Sequence, residues 1–185
     1  MSTSVHTPKN PGGPPVTRVI RIGGAGKLEL LSRLELAGVG LNEAAQALFA
    51  DERFTTSVSG SLIEIVERSV GGLGLRSGAT FDQIVEHAAV AGLSLCPMEA
   101  GPHFRLQYTD QPEGFLGHPP SRHRAPPGSI TVASAPLADD EETPRGFYLR
   151  RIQGVLWLRG YRSWPGHIFS PDDTFVFLLR PHHAA

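Results

Sequence analysis

Between Arg145 and Arg162 the chain carries five arginines and no acidic residue, with its aromatics set among them. Phe147–Ile152 and Val155–Tyr161 flank Gln153-Gly154, a two-residue link of the Asn-Gly kind that closes a β-hairpin. Such a loop fixes the register. Ile152 faces Val155, Arg150 faces Trp157 and Tyr148 faces Arg159. One side of the ribbon is then Tyr148, Arg150, Trp157, Arg159 and Tyr161. The other side is Phe147, Leu149, Leu156 and Leu158, which reads as core. Aromatic faces stack on bases and other planar groups, and guanidiniums hold phosphate or carboxylate. The function expected from this face is a non-catalytic binding or interaction module. Its ligand would be a nucleotide, single-stranded nucleic acid or another anion. The same alternation also serves a plain structural end. Arg–Trp and Tyr–Arg cross-strand pairs stabilise an exposed sheet face, and the acidic run Asp139–Glu142 is available to neutralise the heads.

The alternative is a small enzyme acting on a nucleotide or phosphate ester. Its polar groups would be Cys96, Glu99, His103 and Arg105, clustered around a strand end. A nucleophilic thiolate needs a base, and His103 or His87 would supply one. A lone cysteine is more often a small buried hydrophobe. Gly23-Gly-Ala-Gly-Lys27 has the look of a phosphate-binding loop, but two required positions fail. Arg21 stands where the first glycine belongs, and Leu28 where the magnesium-holding hydroxyl belongs. Its amides, placed before a helix, still offer an anion site. His118 and His123 share a loop with Asp110 and Glu113, yet His-x4-His matches no ordered zinc spacing, and Arg122 and Arg124 repel a cation. The sequence thus implies no metal and no cofactor.

The elements that must position these groups follow from where proline falls. Four of the 16 prolines lie in residues 1–15, none between Val16 and Cys96, and twelve from Pro97 onward. The first stretch is expected as a disordered tail. The domain would run over residues 16–181, with 182–185 frayed. In the proline-free window, Lys27–Ala37 carries Leu28, Leu31, Leu34 and Leu36 and reads as a helix stopped by Gly38. Asn42 caps a second helix, Glu43–Ala50, with Ala44, Ala47 and Leu48 inward. The pair makes a helical hairpin. Leu62–Val70 is β-branched and reads as a strand. Thr80-Phe-Asp-Gln83 is a capping box that opens a helix over Phe81–Ala91. After it, Leu93–Cys96, Phe104–Tyr108, Ser129–Ala133 and Thr174–Leu179 read as strands, and Asp110–Pro127 as a long loop with five prolines. The fold class is α+β: an N-terminal helical hairpin and one capped helix on a mostly antiparallel sheet formed largely by the C-terminal half.

Several runs together are distinctive. They are Gly146-Phe-Tyr-Leu-Arg150, Leu156-Trp-Leu-Arg-Gly-Tyr161, Ser170-Pro-Asp-Asp173 with Phe175 and Phe177, Ser129–Ser134 and Leu48–Thr56. With these the chain resembles a group of small uncharacterised bacterial proteins over roughly Lys27 to Leu179. Some members carry a helicase label, which implies an ATPase core. The incomplete phosphate loop and the size of one domain do not fit that label, so the resemblance carries over no catalytic residues.

Composition sets the outer limits. The formal charge of −1, from 17 basic and 18 acidic residues, excludes a histone-like coat and a polybasic membrane surface. Fifteen of the basic residues are arginine, as a GC-rich bacterial genome would produce. One cysteine allows no internal disulfide. No apolar run approaches the ~20 residues of a membrane span. A cytoplasmic protein with no membrane partner is expected, with a protein partner conceivable through the acidic run.

Overall fold

The computed structural model describes residues 14–114 and 126–180. The expectations for the tail up to residue 13, for the centre of the Asp110–Pro127 loop with His118 and His123, and for the C-terminal end lie outside these residues. Within them the order is β1 (Val16–Ile22), α1 (Lys27–Leu36), β2 (Gly40–Leu41), α2 (Glu43–Ala50), β3 (Ser61–Ser69), α3 (Phe81–Val90), β4 (Leu93–Ser94), α4 (Ala100–Gln107), β5 (Ile130–Val132), β6 (Gly146–Ile152), β7 (Val155–Tyr161) and β8 (Thr174–Leu179). The strands form one sheet in the order β1-β3-β8-β5-β6-β7-β2, with β4 paired to the last two residues of β8. β5 lies parallel to β8 and β2 parallel to β7, while the other pairings are antiparallel. This is the expected α+β fold, with helices packed on a mostly antiparallel sheet.

Local chemistry sets the helix starts. The Asn42 side chain accepts a hydrogen bond from the Ala45 amide at 3.0 Å and opens α2. The Thr80 hydroxyl and the Gln83 side chain satisfy each other's backbone amides and open α3. Gly38, at φ +67, ends the turn after α1. Asn42 has a second role. Its amide donates to the Gly160 carbonyl at 3.0 Å and accepts from the Gly160 amide at 2.8 Å, tying α2 to β7.

Three expectations are corrected. Phe104–Tyr108 is not a strand, because residues 100–107 form α4. Pro102 sits in the first turn, where a helix has amides without partners anyway, so its missing N–H costs nothing there. Second, the buried stripe of α1 is Leu30 and Leu34, while Leu28 and Leu36 are exposed. In α2 likewise, Ala45 and Phe49 are buried beside Ala44 and Leu48, and Ala47 is exposed. Third, the strand expected over Leu93–Cys96 stops at Ser94, and Cys96 makes only an isolated parallel bridge to Ser134.

Alternation along the strands gives the sheet two apolar faces. On one, Ile65, Val176, Ile130, Phe147, Leu149 and Leu158 pack with residues of α1, α2 and α4. On the other, Val66, Phe175, Phe177 and Ala133 pack with Ile84 and Ala88 of α3. Each fully buried Val, Ile, Leu or Phe side chain among these contributes roughly 1.5–3 kcal/mol. No helix among the described residues is long and apolar enough to cross a membrane.

Candidate functional site

The hairpin carries the residues singled out as a candidate binding face. Gln153 and Gly154 adopt φ +52 and +77, the pair of positive angles that a two-residue turn demands. The pairs Ile152–Val155, Arg150–Trp157 and Tyr148–Arg159 are those the loop length dictates. Phe147, Leu149 and Leu158 enter the core completely, so Tyr148, Arg150, Trp157, Arg159 and Tyr161 share the opposite side. That side is less open than an exposed platform. Tyr148, Trp157 and Arg159 are half-buried, and Arg150 keeps only 8% of its surface.

The five arginines of this stretch differ in their partners. Arg145 donates to the Ser163 and Ala138 carbonyls. Arg151 pairs with Glu113 at 3.4 Å, and Arg162 donates to the Glu142 carbonyl at 2.9 Å. Arg150 and Arg159 have no ion pair among the described residues. Tyr148 favours the charge on Arg150, but the Nε and Nη2 of Arg150 are buried without any partner, as is Nε of Arg159. Burial, reinforced by the neighbouring Arg159, pushes the Arg150 pKa below the usual guanidinium value. The acidic run does not relieve these charges. Asp140 instead binds the Thr143 amide and hydroxyl at 2.6 and 3.0 Å.

Trp157 is placed by a residue the sequence reading did not single out. Gly40 of β2 lies directly beside it in the sheet, and a Cβ at Gly40 would fall 2.5–2.7 Å from three carbons of the indole. The ring therefore lies flat against the glycine, and the Arg159 guanidinium sits over it at 5.2 Å from its centroid. The usable sequence signal was a glycine beginning an apolar dipeptide between two helices, which is too short to read as a strand.

Tyr161 stands apart from this group. It lines a cavity of about 470 Å³ between α3 and the segment after β7, together with Phe81, Asp82, Glu86, Arg145 and Trp164. Burial pushes its phenol well above the ordinary tyrosine value. Trp164, in the same wall, was not anticipated.

The residues proposed around Cys96 are brought near one another only in part. Cys96 is buried, its thiol is pushed up to about 12, and its Sγ lies 3.8 Å from the Val176 carbonyl. It has no thiolate character at neutral pH. Glu99 and His103 meet across one turn at 3.8 Å, both nearly fully buried. Glu99 accepts from the Ser57 hydroxyl at 2.5 Å and the Ser57 amide at 3.1 Å. His103 Nε2 accepts from the Gly23 amide at 3.1 Å, and burial lowers its pKa. A ring nitrogen plugged by an amide cannot take a proton from a substrate. The cluster ties α4 to two loops. Arg105 faces elsewhere. It is completely buried, donates to Gln111 and to the Tyr108 carbonyl, and burial brings its pKa down to about 10.

The glycine loop is likewise closed to an anion at its start. Gly23 donates to His103, Gly24 donates to the Ser57 carbonyl at 2.9 Å, and Lys27 Nζ donates to the Asp51 carbonyl at 2.7 Å. Among the described residues no three His, Cys, Asp or Glu side chains gather as metal ligands. Comparison with protein-family models, curated proteins and solved structures finds no match for this chain.

Proposed function

We propose that the protein is a non-catalytic binding module whose hairpin face, built from Tyr148, Arg150, Trp157 and Arg159, holds an anionic ligand, a class that includes single-stranded nucleic acid. The observation that carries the reading is Arg150, 8% exposed, with two N–H groups and a positive charge left without a partner. Leaving a buried donor unmade costs about 1–3 kcal/mol, more when the group is charged. A chain gains nothing in stability from such a residue where an apolar one of like length would fit. The cost is understandable where an oxyanion, admitted as the half-buried side chains around these solvent-closed nitrogens shift, supplies the missing acceptors. Arg105 differs in degree: wholly inside the core, it bonds through two nitrogens and leaves only Nε without a partner, where Arg150 leaves both Nε and Nη2. The half-buried indole opposite Arg150, with Gly40 against one face and the Arg159 guanidinium over it, adds an aromatic flank beside the charge. Nothing at residues 96–105 favours the alternative of a small enzyme, since Cys96 is masked and the Glu99 and His103 acceptors are occupied.

The test is a titration of Trp157 fluorescence at low salt in a Trp164→Phe background, with nucleotides and short single-stranded oligonucleotides. Binding that weakens as salt rises, and that Arg150→Ala/Arg159→Ala abolishes, supports the reading. A folded protein whose signal moves with none of these ligands rules it out.

A further inference from the structure

Resting on that reading, we infer that the face selects a phosphomonoester dianion carried on a planar aromatic group, the chemistry of a nucleoside monophosphate. The two orphaned nitrogens of Arg150 are Nε and Nη2. These form the side edge of the guanidinium, where two N–H bonds run parallel. That edge matches two oxygens of one phosphate or carboxylate. Arg159 adds a third orphaned donor, its Nε.

Charge narrows the class. Arg150 pairs with Trp157 and Arg159 with Tyr148, so the two guanidiniums are diagonal neighbours on adjacent strands. Diagonal positions lie within about 7–8 Å, inside the reach of side chains this long. Arg159 disfavours the charge on Arg150, which places the heads within electrostatic range. No carboxylate pairs with either among the described residues. A carboxylate or a phosphodiester brings one negative charge and leaves one guanidinium uncompensated. A phosphomonoester brings about −1.5 to −2 at pH 7 and compensates both. The indole supplies the second half of the recognition. It lies flat on Gly40, opposite Arg150 and beneath Arg159, so a phosphate held by the two arginines carries its substituent beside the ring.

The experiment titrates AMP, cyclic AMP, adenosine and inorganic phosphate into the full chain at low salt, read by Trp157 fluorescence in the Trp164→Phe background and by calorimetry. AMP should bind at least tenfold more tightly than each of the other three. Its affinity should rise between pH 5 and 7, following the second phosphate pKa near 6, while that of cyclic AMP stays flat. Arg159→Gln, at a half-exposed position, should weaken AMP at least tenfold and bring it level with cyclic AMP. Equal binding of AMP and cyclic AMP with a flat pH profile overturns the dianion inference and leaves anion binding standing. Equal binding of AMP and inorganic phosphate overturns the aromatic part. No binding by any anion overturns this inference and the reading beneath it together.

Discussion

Replacing Arg150 by methionine should stabilise the protein while abolishing the proposed anion binding. Arg150 is 8% exposed, and Nε and Nη2 have no hydrogen-bond partner. Each unsatisfied buried donor costs about 1–3 kcal/mol. Methionine keeps most of the stem, so packing on Trp157 and Tyr148 is largely retained. What is lost is the attraction between the guanidinium and Tyr148. Two orphaned donors and a desolvated charge outweigh that one interaction, giving a net gain of about 1–3 kcal/mol. For a chain of this length that raises the melting temperature by about 2–4 °C per kcal/mol. Ligand acts in the opposite direction. At a concentration of 100 Kd the wild type gains about 2.7 kcal/mol and the variant gains nothing. Thermal denaturation of both proteins, with and without AMP, reads all four states. If Arg150→Met melts lower than the wild type by the equivalent of 1 kcal/mol or more, the guanidinium is a structural group and the reasoning behind the site is wrong.

Four further outcomes are expected. Cys96, with its thiol at about 12, should resist a disulfide reagent at pH 8 in the native protein and react at full rate in denaturant; fast native labelling contradicts its burial. The His103 pKa is lowered from 6.5 by burial, so between 6.5 and its folded value the unfolded chain binds a proton that the native chain does not. Stability should therefore fall as pH drops from about 7 towards 5, and His103→Gln should flatten that part of the profile in denaturant titrations. Asn42→Ala removes the cap of α2 and both bonds to Gly160, and should cost about 2–3 kcal/mol in urea unfolding; a loss below 0.5 would show that α2 is not held this way. Gly40→Ala should drive the indole off β2, costing about 1–3 kcal/mol and red-shifting Trp157 emission, and an unchanged spectrum would mean the ring does not rest there.

The sequence revealed most where chain-local chemistry decides the outcome. A two-residue turn admits one register, so Arg150 opposite Trp157 was readable without any tertiary knowledge. Asn42 and the Thr80–Gln83 box mark helix starts through bonds made within four residues. The helix over residues 100–107 is hidden in the sequence because Gly101 and Pro102 look like helix breakers. Packing explains the glycine. A Cβ there would sit 2.8–3.0 Å from Phe147, so the small residue is required by β6 and not by a turn. In α1 the leucines at 28, 30, 31, 34 and 36 offer two overlapping stripes, and only contact with α4 and the sheet selects Leu30 and Leu34. The depth of Arg150 was beyond reach for a similar reason. Alternation says which side of a sheet a residue takes, but not how far its neighbours close over it.

That depth also explains how a strand so firmly held can present groups so poorly satisfied. A Cβ at Gly160 would lie 2.5–2.7 Å from backbone atoms of Ala44 and Ala45, so β7 runs directly against the start of α2. Asn42 then closes two hydrogen bonds across the contact. Backbone cannot rotate away as a side chain can, so the end of β7 is braced, and Trp157 and Arg159 project from a fixed base. Leu158, between them, is fully buried on the opposite side and adds an apolar anchor. The backbone of the site is thus paid for by glycine, asparagine and leucine, while the arginines contribute no ion pair to it. A ligand arriving there need order only side-chain torsions, a cost of about 0.5–1.5 kcal/mol for each long side chain. Had the same arginines stood on a loop, backbone ordering at about 1–2 kcal/mol per residue would have been added. The unsatisfied Arg159 sits on the braced β7 and Arg150 on β6, which pairs with β7 along its whole length, and such a support is the arrangement expected of a binding face.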